Sequence, residues 1–171
     1  SESDGAPTDI PMCAMGVDAS GGGADPMVIA IRHDGWYGPL QEFPGKTLPQ
    51  DRLGTHCAGL IVSRRRDDAT VIVDMGGGYG GGIYEHLKAN AIGVEAYKGA
   101  AASSHRTRDR QMTFANKRSE AYWRFREALD PTQPGGSPVA LPRDARLLAD
   151  LTAARFTITP RGIAVESKED L

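Results

Sequence analysis

Two aspartates each close an apolar run. Residues 15–18 read MGVD and residues 71–74 read VIVD, and a glycine-rich stretch follows each acid, ASGGGADP after Asp18 and MGGGYGGG after Asp74. In an open α/β sheet, sites form outside the carboxyl ends of the parallel strands. If the two runs are neighbouring strands, their terminal carboxylates lie within a few ångströms of each other. Two such charges repel unless one is protonated or a cation lies between them. Carboxylate oxygens on rigid strands suit Mg²⁺ or Mn²⁺, hard ions that keep several waters and accept phosphate oxygens as further ligands. Two such ions about 4 Å apart can activate a water and stabilise the leaving oxygen of a phosphodiester. The plainer role for each acid is to cap a loop or helix by accepting backbone N–H bonds. Its repetition at two matching places favours a site.

The second stretch also satisfies G-x-G-x-x-G through Gly76, Gly78 and Gly81, between a strand and a helix, and Glu95 follows 19 residues after Gly76. That is close to the dinucleotide-binding pattern. The unit nevertheless begins some 70 residues into the chain, after a hairpin and helix that such a fold does not need. It also sets a carboxylate just before a loop meant for pyrophosphate. A dinucleotide module is therefore the lesser alternative.

The elements that must position these acids can be read from periodicity. Residues 1–11, SESDGAPTDIP, read as a linker or terminal segment. MCAMGVD, MVIAIRH, WYGPLQEF, TVIVD and AIGVEAY read as strands, with Asp34-Gly35 as a hairpin turn. Helices are expected at about 49–65, over GGIYEHLKAN, over FANKRSEAYWRFREAL with Ala121, Trp123, Phe125 and Leu129 on its apolar side, and over Arg143–Ala154. FTITPRGIAVES reads as a closing hairpin. An antiparallel hairpin combined with parallel crossovers predicts an α/β fold with a mixed sheet flanked by helices.

A 171-residue chain with 40% hydrophobic and 25% charged residues suits one domain with a real core. No apolar run approaches the roughly 20 residues that span a bilayer, and no signal-peptide pattern opens the chain, so no membrane role is expected. Cys13 and Cys57 lack partners at zinc spacing and read as small buried hydrophobes. The net charge of −2 announces no polyanion partner. Residues 98–126 are nonetheless basic, with Lys98, Arg106, Arg108, Arg110, Lys117, Arg118, Arg124 and Arg126 against Asp109 and Glu120. A phosphate backbone wants such a stripe, although a solvated helix face has the same composition.

MGVDASGGGADPMVIAI, VIVDMGGGYGGGIYEHL, NKRSEAYWRFREAL and ITPRGIAVESKEDL, in that order, resemble the nuclease domain of tailed-phage large terminases over about residues 12–171. The resemblance implies an RNase H-like fold and a metal-dependent endonuclease that cuts concatemeric double-stranded DNA during genome packaging. Asp18 matches the family's first metal-binding acid and Asp74 its second, with Mg²⁺ or Mn²⁺, two ions, as cofactor. The family's ATPase motor is expected outside this chain, and its third acid beyond Leu171, with Asp170 a weak substitute. A portal protein and a small terminase subunit are the implied partners, a monomer the implied state of the isolated domain, and the host cytoplasm during phage assembly the implied location. Without the third acid, a catalytically inactive docking scaffold is the principal alternative.

Around this pair, Asp25 is a candidate outer-shell acid, though closing the loop before Pro26 is the simpler role. Glu85 could approach the strand ends, or be a solvated acid in the first turn of its helix. His33 and His56 read as structural or exposed, and Arg64, Arg65 and Arg66 as cations at a helix C-terminus. His105, Arg106 and Arg108 are assigned to DNA phosphates near the cut. Lys117 and Arg118 are assigned to the same backbone, where they would offset transition-state charge.

Overall fold

In a computed structural model, residues 5–166 are described. The chain divides into two compact units, one running to Tyr97 and including Ala140–Pro142, the other formed by Lys98–Val139 and the chain from Arg143 onward.

The first unit contains β1 (Ala14–Asp18), β2 (Met27–His33), β3 (Trp36–Tyr37), β4 (Gln41–Phe43), α1 (Leu53–Val62), β5 (Thr70–Asp74), α2 (Gly80–Ala89) and β6 (Val94–Tyr97). The sheet order is β3-β2-β1-β5-β6, with β4 also paired to β2. β1 is antiparallel to β2 and parallel to β5, and β5 is parallel to β6. This is the expected mixed sheet, and it differs from the all-parallel sheet of a doubly wound dinucleotide fold.

Strand alternation builds the core. Met15, Val17, Ile29, Val71 and Val73 are buried on one face, where Cys57, Ala58 and Ile61 of α1 and Ile83 and Leu87 of α2 join the same cluster. By the same period of two, Gly16, Asp18, Ile72 and Asp74 take the opposite face. The two helices approach closely through glycines. A Cβ on Gly54 would stand only 3.0 Å from the carbonyl carbon of Gly82.

Three details differ from expectation. WYGPLQEF forms two short strands, both paired to β2, because Pro39 between them offers no N–H for the ladder. The helix expected at 49–65 is shorter, a 3-10 turn at Gln50–Arg52 leading into α1. Of the cysteines, Cys57 is buried, with its thiol pushed above the ordinary pKa by burial, but Cys13 is exposed and bonds the carbonyl of Arg32. Both thiols are free. His33 is structural, buried with Nδ1 2.7 Å from the carbonyl oxygen of Ile10.

The second unit contains α3 (Lys117–Leu129), α4 (Ala145–Ala153), β7 (Phe156–Thr159) and β8 (Gly162–Val165). Asn116 caps α3, its Oδ1 accepting from the backbone N–H and the hydroxyl of Ser119, each at 2.9 Å. Ser119 is fully buried and accepts from Val165 N, joining α3 to the hairpin. Along α3, Ala121 is exposed, and the hydroxyl of Ser119 takes the most buried position. Asp144 caps α4 one residue inside the expected start. Among the described residues, no helix is long and apolar enough to cross a membrane.

Candidate metal centre

Asp18 and Asp74 are brought together by register. β1 and β5 run parallel with Val17 opposite Val73, so the two acids follow side by side at the ends of adjacent strands. They share the sheet face opposite α1 and α2. Adjacent strands lie about 4.8 Å apart at the backbone, and carboxylates brought close on neighbouring strands repel unless one is protonated or a cation lies between them. Asp18 is exposed and Asp74 half-buried, so both are reachable from solvent.

Asp74 also performs the plainer role. Its Oδ1 accepts a 2.9 Å bond from Gly76 N, closing a tight turn at the strand end. An ionised carboxylate has about four acceptor sites, so this bond fixes the side chain and leaves Oδ2 and further lone pairs for a ligand. The glycines after it have separable jobs. Gly77 and Gly78 adopt φ of 72° and 85°, a region costly for side-chain-bearing residues. Gly80 is buried where α2 begins, and a Cβ there would collide with the carbonyl oxygen of Asp74 and stand 2.9 Å from Val73 Cγ1. Of the G-x-G-x-x-G positions only Gly78 is required by the turn, and a Cβ on Gly81 would meet nothing; the other constrained glycines, Gly77 and Gly80, fall outside the motif.

The loop after Asp18 is closed from within. The Ser20 hydroxyl donates to the carbonyl oxygen of Asp25 at 2.5 Å and accepts from Gly22 N at 3.0 Å. Asp25 therefore contributes its backbone to loop closure, and its exposed carboxylate lies at the end of that loop. Glu85 is exposed on α2, whose Ile83 and Leu87 face the core. Among the described residues, no three His, Cys, Asp or Glu side chains gather as a metal-binding group. Asp170 lies outside the described residues. Two hard-oxygen donors at matched strand ends suit one hydrated Mg²⁺ or Mn²⁺, an ion commonly held by one or two carboxylates with water and phosphate oxygens.

The basic segment falls in the second unit, and much of its charge is already engaged. His105 Nδ1 lies 2.9 Å from Glu120 Oε1, which Arg124 Nε also meets at 3.0 Å, while Ser103 donates to Oε2 at 2.7 Å. Burial works to raise the Glu120 pKa, but the bonds from Ser103 and His105 and the charge of Arg124 hold it below the ordinary carboxylate value. Arg108 donates to Gln133 Oε1 and to the carbonyl oxygen of Glu127. Arg118 donates to the carbonyl oxygen of Glu166 at 2.7 Å and stacks 5.1 Å from the Tyr122 ring centre. Arg106 and Lys117 are exposed at their side chains. The sequence showed the positive charge of this segment but not its partners, which lie 15 residues away for His105 and up to 48 for Arg118.

No protein-family model matches the sequence, and no curated protein matches it. Solved structures do share its fold. The nuclease domain of the large terminase subunit of bacterial virus Sf6 aligns with a TM-score of 0.65 over 91% of this chain and 77% of that one, at 19% identity. A mutant of that domain solved with manganese and beta-thujaplicinol aligns at 0.64 over 90% and 76%, with 18% identity. A mutant with calcium aligns at 0.65 over 92% and 78%, with 17% identity. The mixed α/β architecture of this chain is thus the fold of a terminase nuclease domain.

Proposed function

We propose that this chain is the nuclease domain of a viral DNA-packaging motor, a divalent-metal-dependent endonuclease acting on double-stranded DNA. The observation that carries the reading is the side-by-side placement of Asp18 and Asp74 at parallel strand ends, in a fold shared with terminase nuclease domains. That those neighbours were solved with manganese or calcium supports a divalent ion at such a site.

When bound, the ion supplies Lewis acidity toward the phosphodiester and its attacking water. The chain's own part is to hold two carboxylates in place at low cost in motion. The ladder sets the backbone spacing, and the Gly76 N–H holds Asp74 in one orientation. Gly23, Gly78 and Gly81, at which a Cβ would meet nothing, leave room for a bulky sugar-phosphate chain. Arg106 and Lys117 are the side chains proposed for backbone phosphates, with His105, Arg108 and Arg118 shaping the segment through the contacts above. Binding of that kind is largely independent of sequence and weakens steeply with salt. A two-ion scheme needs oxygen ligands in addition to these two carboxylates, and it is part of the proposal.

The test is nicking of supercoiled plasmid in Mn²⁺ by the wild-type chain, Asp18→Asn and Asp74→Asn. The expected result is EDTA-sensitive nicking that falls by more than about 100-fold in either variant, beyond the loss typical of an outer-shell partner. Nicking by Asp74→Asn at the wild-type rate refutes the assignment. A wild-type chain that neither binds Mn²⁺ nor nicks favours the inactive docking scaffold.

A further inference from the structure

Tyr79 stands in the middle of a glycine run and is 56% exposed, so core packing does not account for it. Its ring nevertheless lies against the other acid's loop. A Cβ on Gly21 would collide with Tyr79 Cε1 and Cζ and come within 2.7 Å of Cδ1, and one on Gly77 would meet Cδ2 and Cε2 at 3.7 and 3.9 Å. The ring therefore bridges the two loops, one edge on Gly21 and the other toward Gly77.

The ladder explains why a bridge is useful there. The β1–β5 pairing ends at Val17 and Val73, one residue before the acids. Past that point each acid keeps its outer strand, Asp18 opposite Val28 on β2 and Asp74 opposite Tyr97 on β6, while the β1–β5 ladder no longer joins the two loops that follow. Tyr79 is anchored by its place at the N-cap of α2, whose first residue packs on the Asp74 carbonyl. The Asp18 loop also lies close to Gln50 at Gly22 and to Gly45 at the Asp25 carbonyl oxygen. The loop thus packs against Gln50, Gly45 and the tyrosine ring.

We infer that Tyr79 is a positioning residue that ties the Asp18 loop to the Asp74 loop and so sets the separation of the two carboxylates for a divalent cation. The role rests on the proposed metal reading and belongs to the ring; the hydroxyl has no part in it. The experiment measures Mn²⁺ affinity by titration calorimetry, without DNA, for wild type, Tyr79→Phe, Tyr79→Ala, Gly21→Ala, the Gly21→Ala/Tyr79→Ala double variant and Asp74→Asn. Amide hydrogen exchange of residues 19–25 and 75–79 is followed in the metal-free proteins, with circular dichroism as the check on folding.

The expected result is about tenfold weaker Mn²⁺ binding in Tyr79→Ala, in the range seen when an outer-shell support is lost, with Tyr79→Phe within about twofold of wild type. Exchange should quicken in both loops together. Gly21→Ala should weaken binding by displacing the ring, and the double variant should be no worse than the weaker single variant, because both act through one contact. Wild-type affinity in Tyr79→Ala while Asp74→Asn loses binding overturns the positioning role and leaves the metal reading standing. A loss in Tyr79→Phe equal to that in Tyr79→Ala also overturns it. Wild-type affinity in Asp74→Asn sinks the metal reading instead. The exchange data then decide the bridge: faster exchange in both loops upholds it and unchanged exchange refutes it.

Discussion

Gly80 and Gly81 are adjacent in the first turn of α2, yet the structure predicts opposite effects for the same substitution. Both lie in a helix and neither has positive φ. Alanine at either position therefore narrows the unfolded ensemble similarly, a gain of about 0.4–1 kcal/mol. At Gly81 nothing lies within 4 Å of the added methyl, so Gly81→Ala should be stabilised by that amount. At Gly80 the methyl meets the Asp74 carbonyl oxygen and Val73 Cγ1. A carbonyl in a strand cannot rotate away, so the helix start or the strand end must shift, at about 1–3 kcal/mol for an overpacked site.

The entropy gain cancels between the two variants, and the difference isolates the collision. Gly80→Ala should be less stable than Gly81→Ala by about 1–3 kcal/mol. For a chain of this length that is a Tm gap of about 2–4 °C per kcal/mol. Urea unfolding followed by circular dichroism and by the fluorescence of Trp36, which lies in the first unit, measures it directly. Because the colliding atom belongs to Asp74, Gly80→Ala should also weaken Mn²⁺ binding while Gly81→Ala leaves it unchanged. Equal stability of the two variants would refute the claim that this glycine is held by close packing of helix on strand.

Other expectations concern the second unit. Ser119→Ala leaves the Val165 N–H without its acceptor in a buried setting and should cost about 1–3 kcal/mol, read by thermal melting. Arg118→Ala should destabilise the fold by about 1–3 kcal/mol, since it removes a charged hydrogen bond and an aromatic stack. Arg106→Glu with Lys117→Glu should leave stability unchanged within about 0.5 kcal/mol and lower both DNA affinity and its salt slope in a filter-binding titration. Glu120 has a folded pKa below its unfolded value. Its contribution is therefore present above the ordinary value of 4.5 and is lost as pH falls from there through the lower folded pKa. Acid unfolding of Glu120→Gln should accordingly show a flatter loss of stability below about pH 4.5 than wild type.

Much of the sheet was legible because alternation and burial agree in it. TVIVD puts Val71 and Val73 inward and MGVD puts Met15 and Val17 inward, at every second place, and the same period sends both terminal acids to the other face. The hairpin was legible from Asp34-Gly35, where Asp34 adopts a φ of 51°. Long-range closeness was much harder to read. Nothing local marks that Gly21 must stay small because of a ring 58 residues later, or Gly54 because of Gly82. Cys13 reads as apolar by its neighbours, but it precedes β1 and turns to the Arg32 carbonyl at the sheet surface. The basic segment shows the same limit in electrostatic form. Charge is visible residue by residue, while the acceptors that engage His105, Arg108 and Arg118 are set by how α3 packs with its own loops and hairpin.

The glycine run after Asp74 can now be separated into functions that composition alone merges. Gly77 and Gly78 turn the chain, Gly80 lets α2 rest on the strand end, and Gly82 lets α1 come close to α2. Of these, Gly80 sets the helix backbone on the Asp74 carbonyl, and with the Gly76 N–H bond to Oδ1 it leaves little freedom at Asp74. The Asp18 side is tied by the pairing of Asp18 with Val28, by the Ser20 bonds and by close approaches to Gly45 and Gln50. Both acids are thus held by their own strands and loops, and the proposed role of Tyr79 is to tie the two loops to each other. A substrate or ion that needs a defined carboxylate spacing should accordingly be more sensitive to changes at Gly21 and Ser20 than to alanine at Gly81, whose φ is ordinary and whose Cβ would meet nothing.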